Sequence, residues 1–400
     1  MTDFLIGRQQ ILDQNLNTYA YEILFRGQDF DLSAKDQATS ATNQVITDTI
    51  LEIGLNELVG NHLAFINFTT QNILEKTPLN LPKERIVIEV LENVKVDLQV
   101  INNLRELSAL GYTIALDDFV LTPDWMPLLD FVNIIKLDVM ANSMEQTRQL
   151  IEQLKPYKLK LLAEKVETHE EFHQLKTFGC ELFQGFFFSK PNIVEGKRLS
   201  VGQTAAIQLM ATINKQDVSF QEIARTISQD VGLTYKMLHY INSASFALAN
   251  KIDSIQHALT YLGINEIKRW VNILTLSSMS DKPSSVLQTI LIRAKMCELL
   301  AAETRQDAET FFLVGLMSGL DSILDLTLDK ALQHLPLSDH IIAAVLHKTG
   351  PAGEALQYAM DYEQWQVERP TFRDIDSERI AAIYLECIQW WSKQIMPLIK

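Results

Sequence analysis

The sequence predicts an α/β TIM-like barrel followed by an all-α helical domain, and three observations carry that reading. Five apolar runs each end in a charged or amide side chain: Ile86–Glu89, Thr113–Asp117, Ile134–Asp138, Leu161–Glu164 and Leu182–Gln184. From Glu89 through Asp117, Lys136 and Glu164 to Gln184 the steps are 28, 19, 28 and 20 residues, and the gaps hold helical patterns such as Leu98–Leu110 and Glu145–Leu154. Continuous apolar runs at that rhythm mark repeated βα units and a buried parallel sheet. After Lys190-Pro191 the strand pattern stops, and the rest of the chain reads as helix, about the size of one domain.

In chain order, Phe4–Asp13 and Thr18–Arg26 are strand-like runs around the turn Gln14–Asn17, which predicts a hairpin that opens the barrel. Ala41–Val59 has helical apolar spacing, Leu63–Phe68 reads as a third strand with Asn67 near its end, and Pro78–Lys83 as a turn. The stretch Val120–Leu128, with two prolines and a tryptophan, reads as a structured loop. Thr168–His173 contains His-Glu-x-x-His, a zinc-protease pattern. Thr168 and Glu171 also form the Thr-x-x-Glu box that starts a helix, and no apolar helix surrounds the motif, so a helix start is the preferred reading.

The predicted helices of the second half are Gly202–Ile213, Ser219–Ile227, Thr234–Ile241, Ile255–Leu262, Asn265–Leu276, Ser285–Thr304 and Ala308–Met317. Asp329–Gln333, Ser338–His347, Gly353–Asp361 and Asp374–Gln394 complete the set. Breaks are expected at Gly232, Gly263, Pro283, Pro336, Gly350-Pro351 and Pro370. The expected organisation is a barrel over 1–193, a linker over 194–202 and a helical domain over 203–400.

Composition narrows the function classes. A net charge of −15 and a pI near 5.0 argue against nucleic-acid polymers and anionic membranes as partners, which need a basic surface. No run of 18 apolar residues and no basic-then-apolar leader is visible, so a cytoplasmic protein is expected. Cys180, Cys297 and Cys387 lack metal spacing and read as buried thiols in a reducing compartment.

Polar groups at the ends of successive barrel strands converge on one mouth. The candidates are Glu22, Asn67, Glu89, Asp117, Asp118, Lys136, Glu164 and Gln184, with Glu92 and Glu167 one step behind. Carboxylates and an amide oxygen, without histidine or cysteine, form a hard oxygen set that suits Mg²⁺ or Mn²⁺. So many acids in one mouth repel each other without cations, and two bridged ions would also set up in-line attack on a phosphodiester. Lys136 is placed to orient a water or balance developing charge, and Arg26, four residues after Glu22, to hold a phosphate.

These residues carry a resemblance. Glu22-Ile-Leu-Phe-Arg26, Asn67-Phe-Thr69, Glu89-Val-Leu-Glu92, Asp117-Asp-Phe119, Lys136-Leu-Asp138, Ala163-Glu-Lys-Val-Glu167 and Gln184-Gly185 resemble the ordered motifs of EAL-domain phosphodiesterases. That resemblance implies a two-metal barrel that hydrolyses cyclic di-GMP to linear pGpG. It implies metal ligation by Glu22, Asn67, Glu89, Asp117 and Asp118, and service of the nucleophilic water by Lys136 and Glu164. Gln184 completes the site, and Arg26 and Asp118 with Gln184 meet the substrate. Three departures accompany it: Ile23 for the family's alanine, Val120 for the glycine after Asp-Asp-Phe, and Lys165 for the glycine of Glu-Gly-Val-Glu. The second alters the loop the family uses for dimer contacts, and leaves homodimerisation open.

The helical half resembles an HDOD domain through Leu233–Ala244, Ile255–Gly263 and Phe311–Gly319. Where an HD hydrolase has Gly-Leu-x-His-Asp, this chain has Gly315-Leu-Met-Ser318-Gly319, so the resemblance implies a protein-interaction domain without hydrolase chemistry, its signalling partner unidentified. His239 and His257 are expected to be core or surface residues. Two functions fit: a metal-dependent phosphodiesterase coupled to a signalling partner, and a degenerate receptor for cyclic di-GMP or a protein scaffold. Retention of every polar position favours the first.

Overall fold

The computed structural model describes residues 4–27, 53–191, 199–215, 217–242, 251–279, 282–333, 335–367 and 371–399. The chain divides into two compact units, Met1–Phe188 with Glu368–Leu385, and Ser189–Val367 with Glu386–Lys400.

The first unit contains a closed eight-stranded barrel: β1 Phe4–Asp13, β2 Thr18–Gly27, β3 Leu63–Phe68, β4 Ile86–Val90, β5 Thr113–Leu116, β6 Ile134–Asp138, β7 Lys160–Glu164 and β8 Leu182–Gln184. β1 is antiparallel to both its neighbours, β2 and β8, and every other pairing is parallel. The predicted opening hairpin therefore exists, and it is also the barrel's closing seam. Its turn is set by Asp13, whose Oδ1 accepts the backbone N–H groups of Asn15 and Asn17, while Leu16 takes the left-handed conformation at φ 61°.

Helices Leu98–Ala109, Met144–Leu154 and His169–Phe178 follow β4, β6 and β7. Ser143 and Thr168 close reciprocal capping boxes with Gln146 and Glu171, which satisfy backbone donors that a helix start leaves unpaired. Thr168 thus starts a helix, as the sequence predicts. His173 is exposed and His169 packs edge-on against Phe187, so the His-Glu-x-x-His histidines serve packing and surface. Val120–Leu128 is a loop closed by a 3₁₀ turn at Met126–Leu128. Of the predicted helix Ala41–Val59, the described part shows Leu55–Val59; residues 41–52 lie outside the described residues.

The second unit is helical, and most predicted helices appear within a few residues of their expected ends. Two expectations are corrected. Gly232 does not break the chain: it sits in the first turn of Val231–Ile241, where Asp230 caps the Leu233 N–H. The break expected at Gly350-Pro351 falls just before it, at Lys348-Thr349 between Asp339–His347 and Gly350–Glu363, and Gly350-Pro351 opens the second helix, because proline's missing N–H goes unused in a first turn. A short helix, Leu320–Leu324, was not predicted; five residues are too few for a periodic signal.

The spine of this unit is Ser284–Glu303, buried around most of its circumference. It packs against Ala308–Met317 at Gly315, where a Cβ would lie 2.6 Å from Ala294 Cα, so only glycine admits that approach. Trp390 and Trp391 are buried as predicted, and the three cysteines are free and buried. His239 and His257 are on the surface. Among the described residues, no helix is long and apolar enough to cross a membrane.

Candidate active site at the barrel mouth

Ile11, Ala20, Phe65, Val87, Ala115, Ile134, Leu162 and Leu182, one from each strand, form a single buried cluster that plugs the barrel. Side chains alternate along a strand, so the residue two positions further faces the same way, one layer higher. Counting two forward from the plug on the parallel strands and β2 gives Glu22, Asn67, Glu89, Asp117, Lys136, Glu164 and Gln184. These are the sequence-predicted mouth residues. On β1, which runs the other way, the layer is reached by counting two back from Ile11, and the residue is Gln9.

Gln9 is the site residue that sequence reasoning missed. Gln184 Nε2 donates to Gln9 Oε1 at 2.7 Å and to Glu22 Oε2 at 2.6 Å, which ties β8, β1 and β2 together at the mouth. Asn67 Nδ2 donates to Glu22 Oε1 at 3.5 Å. Gly185 makes Gln184's position attainable: a Cβ there would lie 2.1 Å from the Val166 carbonyl oxygen, and its φ of +148° disfavours other residues.

Lys136 stands at the centre, 1% exposed. Its ammonium pairs with Glu89, with Asp117 Oδ1 at 2.8 Å, with Glu164 Oε1 at 2.8 Å and with Glu22 Oε2 at 3.6 Å. Among the described residues one cation thus faces four carboxylates, which leaves the layer with an excess of negative charge. Burial depresses the Lys136 ammonium, but the carboxylates of Glu164, Glu22, Glu89 and Asp117 outweigh it and raise its pKa well above the ordinary lysine value. Burial, reinforced by the Glu22 charge, raises Glu89 well above the carboxylate range. Glu164 is pushed up to about 8, by burial first and then by Asp117 and Glu22 against the pull of Lys136.

The sign of the resulting pH dependence follows. A carboxyl whose folded-state pKa is raised binds protons more tightly folded than unfolded, so its contribution to stability is present below about 4.5 and lost as pH rises toward 8. Divalent-free protein is therefore expected to unfold at lower denaturant concentration at pH 8 than at pH 5, with a smaller difference in saturating Mg²⁺. Chemical denaturation at the two pH values, with and without EDTA, checks this.

Asp118 turns the chain after β5 at φ 40°, a left-handed conformation that aspartate tolerates better than most residues. Burial and the adjacent Asp117 raise its pKa. Oxygens of Asp117, Asp118 and Glu164 lie within 4.8 Å of one another, a cluster able to hold a metal ion. Among the described residues, four oxygens of these mouth side chains are buried and without a hydrogen-bond partner: Asn67 Oδ1, Glu89 Oε2, Asp118 Oδ1 and Gln184 Oε1. Unsatisfied buried acceptors are costly unless something charged or protic meets them. An all-oxygen donor set with orphaned acceptors fits a hard divalent cation. Glu92 and Glu167 are exposed past β4 and β7; the Glu92 charge reaches Asp118, whereas the Glu167 backbone N–H donates to Glu171 of the following helix start. Arg26 lies at the end of β2, and its side chain is outside the described residues.

With this geometry in place, the comparisons are direct. Residues 60–191 match the EAL domain and residues 201–335 the HDOD domain. The cyclic di-GMP phosphodiesterase CdgJ of Vibrio cholerae is 34% identical over 404 residues, covering 98% of this chain and 93% of CdgJ. The chain belongs to the EAL–HDOD family. The uncharacterized protein YuxH of Bacillus subtilis is 32% identical over 96% of this chain and 97% of its own length. A standalone EAL protein from Vibrio cholerae, solved with cyclic di-GMP bound, aligns at 27% identity and a TM-score of 0.37, covering 47% of this chain and 92% of that one. The EAL match begins after β2, yet β1 and β2 of this EAL–HDOD protein close the barrel and supply Gln9 and Glu22.

In the HDOD half, the position where an HD hydrolase has its histidine is Ser318. Ser318 Oγ accepts from Arg293 Nη1 at 3.0 Å and donates to the Gly315 carbonyl at 2.7 Å. Arg293 also donates from Nε and Nη2 to the two Glu363 oxygens, both at 2.9 Å. A buried guanidinium therefore fills the surroundings of Ser318, where a metal would require free acceptors.

Proposed function

We propose that this EAL–HDOD protein hydrolyses cyclic di-GMP to linear pGpG at the barrel mouth, with two divalent cations, Mg²⁺ or Mn²⁺, held by Glu22, Asn67, Glu89, Asp117 and Asp118. The observation that carries the reading is the single polar layer, two residues above the plug, in which four carboxylates surround one buried lysine and acceptor oxygens remain orphaned. Near full-length similarity to CdgJ supports the same reading.

When bound, the cations would supply a water of lowered pKa and neutralise charge on the phosphodiester. The chain's own groups do the rest. Glu164 takes the proton of the attacking water, and its raised pKa suits it to accept one near neutrality. Lys136 holds Glu89, Asp117 and Glu164 around the reacting position and offsets charge developing there. Gln184, fixed between Gln9 and Glu22, sets the seam side of the pocket, and Arg26 meets a substrate phosphate. Water adds across one P–O3′ bond, leaving a 5′-phosphate and a free 3′-hydroxyl on the opened dinucleotide. The phosphodiesterase occupies 1–193 and is joined through 194–202 to a helical domain, 203–400, that binds a signalling protein.

Purified protein incubated with cyclic di-GMP and Mg²⁺ or Mn²⁺ should yield linear dinucleotide on chromatography. Glu22→Ala should lower the rate by at least about 10³-fold, on the scale of losing a group that organises the transition-state charge. Equal turnover by Glu22→Ala would sink the proposal; binding without turnover by the wild type would make the protein a receptor.

A further inference from the structure

Lys165 occupies an unusual backbone position. It follows Glu164 at the end of β7 with φ 57°, the left-handed region, which disfavours any residue with a Cβ by about 1–2 kcal/mol. Glycine would relieve that cost, so the presence of a long cationic side chain asks what the side chain does. Its ammonium donates to Asp138 Oδ2 and stands 3.8 Å from Asp118 Oδ1. That Asp118 oxygen is one of the orphaned acceptors of the mouth. The Asp138 carboxylate is itself fixed: its Oδ1 accepts the backbone N–H groups of Met140 at 2.8 Å and Ala141 at 3.1 Å.

We propose that Lys165, held on Asp138, is a tethered counter-ion for the Asp118 metal position, so that a divalent cation must bind against its charge. The inference rests on the two-metal reading above. Three features carry it. The lysine lies near the oxygen that a cation would take, but beyond hydrogen-bond distance. Its side chain is half exposed, so it has room to move. Its existing pair with Asp138 at 2.5 Å anchors the ammonium beside Asp118 whether or not a cation is bound there. In the divalent-free protein the ammonium offsets part of the Asp117–Asp118 repulsion; in the loaded protein it is a like charge one shell away. The result is a site tuned to load only at higher divalent concentration than its carboxylates alone would require.

The test is calorimetric titration of Mn²⁺ into full-length, EDTA-stripped protein. Lys165→Met and Lys165→Gly should bind Mn²⁺ roughly tenfold more tightly than wild type, the effect of removing one like charge at short range in a partly solvated site. Lys165→Arg, which keeps the charge, should stay within about threefold of wild type. If Lys165→Met fails to fold at its left-handed position, Lys165→Gly still decides the matter, because glycine is at ease there. Wild-type affinity, or weaker, in both neutral variants overturns this inference while leaving the metal reading intact. Absence of Mn²⁺ binding in every variant, wild type included, overturns both.

Discussion

Lys136→Met is expected to lower the unfolding free energy of the divalent-free protein by about 3–5 kcal/mol, the scale for breaking a buried ionic cluster by removing one partner. The reason is the arithmetic of the mouth: Lys136 is the ammonium facing Glu22, Glu89, Asp117 and Glu164, and Glu89 and Lys136 are both essentially inaccessible to water. Methionine of similar volume keeps the packing and removes only the charge, so the loss reports electrostatics. Part of it is recovered by proton uptake, since the acids are already displaced upward, and the deficit should therefore be larger at pH 8 than at pH 5. Saturating Mn²⁺ should narrow it, because cations replace the missing charge, while hydrolysis stays depressed. Equilibrium denaturation in EDTA and in Mn²⁺ measures both. A loss below about 1 kcal/mol, or one indifferent to Mn²⁺, would mean that the layer does not depend on positive charge.

The second large effect lies in the helical half. Arg293→Met should cost about 3 kcal/mol, because Glu363 would remain largely out of water without its bidentate partner and Ser318 would lose its donor. The pair itself need not be stabilising: replacing both ends, as in Arg293→Met with Glu363→Leu, should recover most of the loss. The thermal unfolding of both variants separates these outcomes. If the single variant is as stable as wild type, the guanidinium is not what fills this site, and its surroundings merit reinspection for a metal. Burial raises the Glu363 pKa against the pull of Arg293, consistent with a pair that is held tightly and solvated poorly.

Most of the mouth was legible in the sequence because two simple rules meet there. Apolar runs give the strands, and acids at their carboxyl ends give the mouth, so Glu89, Lys136, Glu164 and Gln184 could be placed without coordinates. Asp117 was legible too, although β5 ends one residue earlier at Leu116; its N–H still donates to the Val90 carbonyl and continues the ladder in register. Gln9 was not legible. The rule counts forward to a strand's end, and β1 alone runs the other way, so its mouth residue lies before the plug residue rather than after it. The predicted hairpin already implies that direction, and counting back from Ile11 along it reaches Gln9.

Other misses have equally local causes. Glu92 and Glu167 lie near the site in sequence, but the chain has left the barrel wall by then and both face solvent. Gly232 carries a breaker's identity, but a first-turn glycine needs no helical preference when Asp230 caps the turn. The Arg293 network was invisible because its members lie 25 and 70 residues apart, on Ser284–Glu303, just past Ala308–Met317 and at the end of Gly350–Glu363, and only tertiary packing brings them together.

The measurement that reaches the central claim most directly is hydrolysis in ¹⁸O-labelled water, with the opened dinucleotide read by mass spectrometry. Wild-type protein with Mn²⁺ should place one ¹⁸O atom in the terminal phosphate of linear dinucleotide, and EDTA should abolish the product. Unconsumed cyclic di-GMP with Mn²⁺ present, or a product without label, would contradict water attack on the phosphodiester at this mouth.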